Sequence, residues 1–366
     1  MLRILSVLAL SFSLLACGGS NQEANAVAPE AAAKTFSWRM VTTWPKNLPG
    51  LGRAPEMLAE KVAVMSSGRL KITVYGAGEI VPALGVFDAV SLGNVEMGHG
   101  AAYYWKGKVP VAQFFTAVPF GLTAQEMNGW LQYGGGMPLW EELYGKYNLV
   151  PLACGNTGTQ MAGWFNKEIN SLEDLKGMKM RIPGLGGEVF ERAGGTAINL
   201  PGGEIFTSLQ TGVIDATEWV GPYNDLTFGL HQIAKYYYYP GWQEPGPTLE
   251  AIVNKAAFDT LPADLKEILR MAAKAVNDDL LAEYTARNNA ALRDLVDNHG
   301  VDLRPLPNDV LQKLHRISNE VIAEIPGDDE LGQRIYQSYV EYRDGVVAYQ
   351  DIAERAYVNA RAQPIN

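Results

Sequence analysis

Two stretches of this chain follow one plan. The segment FDAVSLGNVEM, from Phe87 to Met97, and the segment FTSLQTGVIDA, from Phe206 to Ala216, each open on an aromatic residue. Each then carries aliphatic positions at helical spacing, reaches a glycine and ends in a short strand bearing an acid. Gly93 and Gly212 stand where a helix C-terminus takes a left-handed residue before the next strand. A unit of helix, glycine and strand that occurs twice points to two lobes, each an α/β arrangement with crossover connections. Between two such lobes lies a cleft, a usual place for a ligand.

The flanking patterns extend this reading. Phe36 to Thr43 is strand-like. Leu51 to Met65 is helical, with Leu51, Ala54, Leu58, Val62 and Met65 on one face, and Arg69 to Tyr75 alternates as a strand. A helix near Ala83 to Leu92 and a strand from Asn94 to Gly98 complete the first unit. Around the second, Ser171 to Asp174 forms a capping-box variant, and Met178 to Pro183 is a strand whose proline limits it to an end or edge. Gly186 to Ala193 and Gly203 to Thr211 read as helices, and Thr248 to Val253 as a strand. From Pro262 onward the pattern is almost wholly helical: Ala263 to Asn298, then Asp309 to Ile325 after the breakers Pro305 and Pro307, then Asp329 to Ala360. The expected organisation is lobe I at 35–154, lobe II with the main ligand-binding segment at 155–254, and a helical region at 255–366 packing on both. The last helix places Ile335, Tyr339, Tyr342, Val346, Tyr349 and Ile352 on one stripe, which also makes it a candidate homodimer contact.

The N-terminus reads as an export signal. Arg3 precedes an apolar run from Ile4 to Ala16 that is too short for a bilayer span and ends in small residues. Leu14-Leu15-Ala16-Cys17 is similar to a bacterial lipobox, which makes 1–16 a lipoprotein signal peptide, Cys17 the lipidated residue and 17–34 a flexible tether. With Cys17 lipidated, Cys154 is the only other cysteine and no intramolecular disulfide can form, so a large core must carry stability. Lys plus Arg is 30 against 40 acidic residues, a balance that argues against nucleic acid as a partner. It also means that an anionic ligand must be captured by a local positive site.

No Walker loop, GxGxxG or GxSxG occurs, and His99, His231, His299 and His315 are scattered, which points to binding without turnover. What stands out instead is Gln160 in GNTGTQMAGW, Arg181 in KMRIPG and Glu218 in DATEWVGPYND, polar groups in glycine-rich, largely apolar surroundings. A guanidinium fork matches a carboxylate, whereas a glutamate and an amide oxygen suit a hard, oxygen-loving cation.

The order of lipobox, strand, KMRIPG, the FTSLQTGVIDATEW block and a helical C-terminal third resembles the extracytoplasmic solute receptors of tripartite ATP-independent periplasmic (TRAP) transporters, the DctP-type family. The resemblance covers about the whole mature chain and implies a two-lobe periplasmic binding protein fold with a ligand in the interlobe cleft. Asp215 to Asp225 is similar to the branch that binds 2-oxo or 2-hydroxy monocarboxylates with a cation. It departs from the dicarboxylate branch, which usually has an asparagine where Glu218-Trp219 stands. The resemblance implies that Arg181 clamps the ligand carboxylate. It implies further that Gln160 and Glu218 give side-chain oxygens, and Trp219 its backbone carbonyl, to a cation. Asn156, Tyr103 and Tyr104 match pocket-lining positions, and Glu244 in GWQEPG matches a pocket acid. Arg181, one ligand carboxylate, Glu218 and a monovalent ion sum to zero charge. An ionised Glu244 would call for a divalent ion, so Na+ and Ca2+ both remain open. The expected partners are a small monocarboxylate, the TRAP permease and, through the lipid, a membrane. The competing readings are a C4-dicarboxylate receptor of the same family, an exported metal-dependent lipoprotein enzyme acting on a small carboxylate, and an assembly protein acting through its C-terminal helix.

Overall fold

The computed structural model describes residues 34–364, so the expected signal segment and Cys17 lie outside the described residues. The strands, in chain order, are β1 (Phe36–Thr42), β2 (Leu70–Tyr75), β3 (Met97–Gly100), β4 (Leu149–Asn156), β5 (Gly163–Phe165), β6 (Lys179–Arg181), β7 (Thr196–Ile198), β8 (Ala216–Thr217), β9 (Tyr236–Tyr239), β10 (Thr248–Asn254) and β11 (Asp302–Pro305). They form a five-stranded sheet of order β2-β1-β3-β10-β4 and a six-stranded sheet of order β11-β9-β5-β8-β6-β7. This is the expected two-lobe α/β architecture.

The repeated unit lands once in each sheet. Helix Val86–Ser91 passes Gly93 at φ +75° into β3, and helix Gly202–Gln210 passes Gly212 at φ +73° into β8. Both glycines are in the left-handed region that the plan requires. The strand that follows is parallel to an earlier strand in both cases: β3 to β1, and β8 to β6. The two lobes therefore share a local build that brings their C-terminal strand ends toward one region.

Three features depart from the sequence expectation. The strand Thr248–Asn254, grouped above with residues 155–254, lies in the first sheet, antiparallel to β3 and β4. All seven of its residues are buried, so nothing in its pattern says which sheet it joins. Within the supposedly all-helical region, β11 pairs in parallel with β9 and ends at Pro305, where a missing N–H is tolerated at a strand end. The last helix breaks at Ala353 into Glu330–Ile352 and Glu354–Arg361.

The 35-residue helix Ala263–Asp297 buries Leu265, Leu269, Ala272, Val276, Leu280 and Tyr284, and packs on β4, on helix Arg53–Met65 and on helix Pro222–Phe228. The Tyr284 hydroxyl donates to Asn224 Oδ1 at 2.6 Å, while Asn224 Nδ2 donates to the Pro49 carbonyl at 2.8 Å. One helix thus joins first-sheet elements to the segment that follows β8. Its C-terminal counterpart packs only the first part of the expected stripe: Ile335 and Tyr339 are buried and Tyr342 and Val346 partly so, whereas Tyr349 and Ile352 are 63% and 79% exposed. No helix among the described residues is long and apolar enough to cross a membrane. Leu280 is fully buried against the backbone of Gly155, so Leu280→Ala should lower unfolding stability by about 3 kcal/mol. In urea this would appear as a reduced midpoint with an unchanged slope.

Candidate functional site

Four strand ends deliver the residues singled out in the sequence. β3 runs through Ala101 into a single 3-10 turn, Ala102–Trp105, that carries Tyr103 and Tyr104. β4 ends at Asn156, with Gln160 in the loop beyond. Arg181 is the last residue of β6, and β8 leads directly into Glu218 and Trp219. The Glu218 amide donates to the Arg181 carbonyl at 3.1 Å, which holds the last two strand ends side by side. Glu244, in the loop after β9, joins them through its carbonyl, which accepts from the Gln160 amide at 3.1 Å.

Arg181 is the centre of this cluster and is only 1% exposed. Its Nε donates to the Leu200 carbonyl at 3.2 Å, and its Nη1 to the Glu218 carbonyl at 3.2 Å and to Glu218 Oε1 in an ion pair. Its Nη2 reaches the Tyr104 hydroxyl at 3.3 Å, and the guanidinium lies 5.2 Å from the centroid of the Trp219 ring. Trp219 in turn stacks on Phe228 at 4.9 Å and meets Trp44 edge-on at 6.3 Å. Gly202 gives the indole its room, since a Cβ there would sit 2.4 Å from the ring.

Around the ion pair lie buried oxygens with nothing to accept. Gln160 Oε1, Glu218 Oε2 and Glu244 Oε2 have no hydrogen-bond partner among the described residues, although the Gln160 side-chain amide is oriented by its Nε2 bond to Thr157 Oγ1 at 3.1 Å. Orphaned buried acceptors are costly and rare in native proteins. Burial pushes the Glu218 carboxyl up to about 7, against the pull of Arg181 and with a further push from Asp225. Burial, then the charge of Glu218, holds the Glu244 carboxyl well above the ordinary range, opposed by Arg181, Tyr103 and Gln160. An oxygen-only donor set of two carboxyls and an amide fits a hard cation such as sodium or calcium. Among the described residues no cluster of three or more His, Cys, Asp or Glu side chains is placed to hold a metal.

The profile of bacterial extracellular solute-binding proteins, family 7 (DctP), matches residues 40–327. The chain belongs to this family. A monocarboxylate 2-oxoacid-binding periplasmic protein of Nostoc sp. is 44% identical to the receptor over 337 residues, 92% of each chain. A TRAP periplasmic solute-binding protein of Pseudoalteromonas atlantica, solved with bound sodium and pyruvate, is 44% identical with a TM-score of 0.86, over 89% of this receptor and 99% of that chain. Its counterpart from Colwellia psychrerythraea, solved with calcium and pyruvate, is 42% identical with a TM-score of 0.86, over 89% and 100%. The protein is a solute receptor and not an enzyme.

Not every predicted residue faces the cluster alike. In the receptor, Asn156 Nδ2 donates to the Gly246 carbonyl at 3.1 Å and to Thr248 Oγ1 at 3.4 Å, and Asn156 Oδ1 accepts from the Gly158 amide at 2.9 Å. Both amide hydrogens are thus engaged by the surrounding loops and by β10. Tyr103 is buried edge-on against Tyr104 at 4.8 Å, beneath Gly184 at φ +63°. His99 is structural: its Nδ1 accepts from Trp44 Nε1 at 2.9 Å, its Nε2 donates to the Cys154 carbonyl at 3.0 Å, and burial depresses it to about 4. Sequence reasoning missed Trp44 and Asp225. Trp44 lies outside every quoted motif, and Asp225 closes the DATEWVGPYND block without having been given a role.

Glu250 of β10 lies behind the tyrosines. Its Oε1 accepts from Trp105 Nε1 at 2.5 Å and its Oε2 from the Tyr144 hydroxyl at 2.8 Å, and burial pushes its carboxyl up to about 7. A carboxyl whose folded pKa is raised binds its proton more tightly in the native state. Its stabilisation is full below the unfolded value near 4.5 and is lost as pH rises through about 7. Between pH 5 and 7 the ligand-free receptor should lose up to about 1.4 kcal/mol per pH unit through this group. Glu250→Gln should flatten the profile of urea midpoint against pH by that share, and parallel profiles would contradict the assignment.

Proposed function

We propose that the receptor binds a small 2-oxo or 2-hydroxy monocarboxylate of the pyruvate, lactate and 2-oxobutyrate kind, together with Na+ or Ca2+, and delivers it to a TRAP permease. The observation that carries this reading is one buried guanidinium, Arg181, set against three buried oxygens without partners, on Gln160, Glu218 and Glu244. Among the described residues Arg181 is the only lysine or arginine that is fully buried, so a second ligand carboxylate would find no counter-charge. This favours a monocarboxylate over a C4-dicarboxylate. The two solved relatives hold pyruvate with sodium and with calcium, in keeping with the same chemistry.

Each residue has a distinct part in this reading. Arg181 clamps the ligand carboxylate, with Tyr103 and Tyr104 as neighbouring donors and Asn156 shaping the loop. Glu218 serves two masters: its Oε1 stays on Arg181 while its Oε2 is available to the cation. Gln160 Oε1 and the Trp219 carbonyl complete the protein donors. With Glu244 protonated, Arg181, Glu218, the ligand and a monovalent ion sum to zero, and ionisation of Glu244 would favour a divalent ion. The lobe built on the first sheet, which includes Thr248–Asn254, and the lobe built on the second close over the ligand, with helix Ala263–Asp297 packed across elements of both. Outside the described residues, the Leu-Leu-Ala-Cys17 sequence supports export with a lipid anchor at Cys17. The exposed Tyr349, Ile352, Tyr357 and Val358 near the C-terminus support contact with a second copy.

A thermal-shift panel tests the reading. Pyruvate-like acids should raise the melting temperature and succinate should not. Arg181→Ala should abolish the shift, and an Arg181→Met, Glu218→Gln double variant, which leaves no unpaired buried charge, should abolish it as well. Retained pyruvate binding in the double variant would sink the clamp. Stripping calcium with a chelator in sodium-free buffer should weaken pyruvate binding by about tenfold or more. Equal affinity without either cation would rule out the bridging role.

A further inference from the structure

We propose that Asp225 is the positioning residue that aims the Trp219 carbonyl at the bound cation, a role that rests on the cation site proposed above. The Trp219 C=O and the Val220 N–H belong to one planar trans peptide unit, so they point in opposite directions. Asp225 Oδ1 accepts from the Val220 amide at 3.3 Å and from the Gly221 amide at 3.2 Å. Holding that N–H on one side turns the Trp219 carbonyl to the other.

The neighbouring peptides leave this carbonyl as the one presented. The Glu218 carbonyl accepts from Arg181 Nη1 at 3.2 Å and from Thr217 Oγ1 at 2.9 Å. The Val220 carbonyl accepts from the Met161 amide at 3.1 Å, and the Gly221 carbonyl from the Asp225 amide at 2.9 Å. Of the four consecutive carbonyls from Glu218 to Gly221, that of Trp219 is left without a donor among the described residues. Asp225 itself cannot swing. It is 1% exposed, and its Oδ2 accepts from Trp164 Nε1 at 3.0 Å and from the Tyr237 hydroxyl at 2.7 Å, two rings stacked 4.0 Å apart on β5 and β9. The orientation of one loop peptide is thereby set by the central strands of the second sheet. Groups that fix a metal ligand from behind commonly govern affinity by about ten- to a hundredfold.

The test is calorimetric titration of pyruvate at stepped Na+ or Ca2+ concentrations, which separates cation half-saturation from ligand affinity at saturating cation. Asp225→Ala should raise the half-saturation by about tenfold or more while ligand affinity at saturating cation stays within about threefold of wild type. A general structural defect would weaken both. The Trp164→Phe, Asp225→Asn double variant keeps an acceptor for the two amides and removes the indole donor that an asparagine amide cannot face, so it should recover most of the wild-type half-saturation. An unchanged half-saturation in Asp225→Ala, or a double variant as impaired as the alanine, overturns the role of Asp225 and leaves the cation site standing. Wild-type binding that needs no cation overturns both. Wild-type hydrogen exchange gives a check that needs no variant: the Val220 and Gly221 amides should be protected before any cation is added. Protection that appears only with the cation would show that the ion, and not Asp225, organises the peptide.

Discussion

The ion pair between Arg181 and Glu218 is the constraint on which the rest of this structure turns. Both side chains are removed from water, at 1% and 0% exposure, and breaking such a pair by removing one partner typically costs about 3–5 kcal/mol. A fold that keeps the pair must satisfy the remaining donors of the guanidinium and hold the carboxylate in reach. Leu200 and Tyr104 take the other guanidinium nitrogens, and the Trp219 ring covers its face. Glycine at 202 lets the indole come close enough to do this. The pair also sets the chemistry, because it commits one oxygen of Glu218 to the arginine and leaves the other orphaned beside Gln160 and Glu244.

Supporting that pair falls to two sheets built on one local plan. The helix, glycine and strand unit ends at β3 in one sheet and β8 in the other. The chain that leaves β3 carries the tyrosines, and the chain that leaves β8 carries the glutamate and tryptophan. Behind each lies a buried carboxyl that organises its neighbours: Glu250 takes Trp105 and Tyr144, and Asp225 takes Trp164, Tyr237 and two loop amides. Among the described residues neither acid has a basic partner. Burial raises both, to about 7 and about 6, and aromatic donors oppose the shift. Such networks are worth keeping only when every member is satisfied, which is the case for these two and not for the cluster they frame.

Much of this was legible in the order of residues, because local geometry leaves local signs. A glycine six residues past an aromatic marked both helix ends, and Ser171 with Asp174 marked a capping box that forms as written, with Asp174 accepting from the Ser171 amide at 2.8 Å. Arg181, Glu218 and Gln160 stood out because charged and amide side chains in apolar, glycine-rich surroundings demand partners. Other features gave no such sign. β10 is buried on both faces and so reads as belonging anywhere, and β11 is four residues long and paired by contacts distant in sequence. Asn156 sits at the right place in the chain, but its amide is claimed by a loop some ninety residues away. Asp225 looks like an ordinary acid at the start of a helix until Trp164 and Tyr237 are brought to it.

The sequence by itself determined the class of protein, the doubling of the α/β unit and the kinds of group that would meet: a guanidinium, an amide, carboxyls and aromatic rings. These follow from periodicity, from the conformational needs of glycine and from the free-energy cost of burying charge, all of which act over a few residues. Only the tertiary structure decided which acid pairs with Arg181, which oxygens are left unsatisfied, which sheet takes Thr248–Asn254 and which side chain accepts from the Val220 amide. Those outcomes depend on distances between residues tens to more than a hundred positions apart, and such distances are set by how the two sheets and the long helix pack.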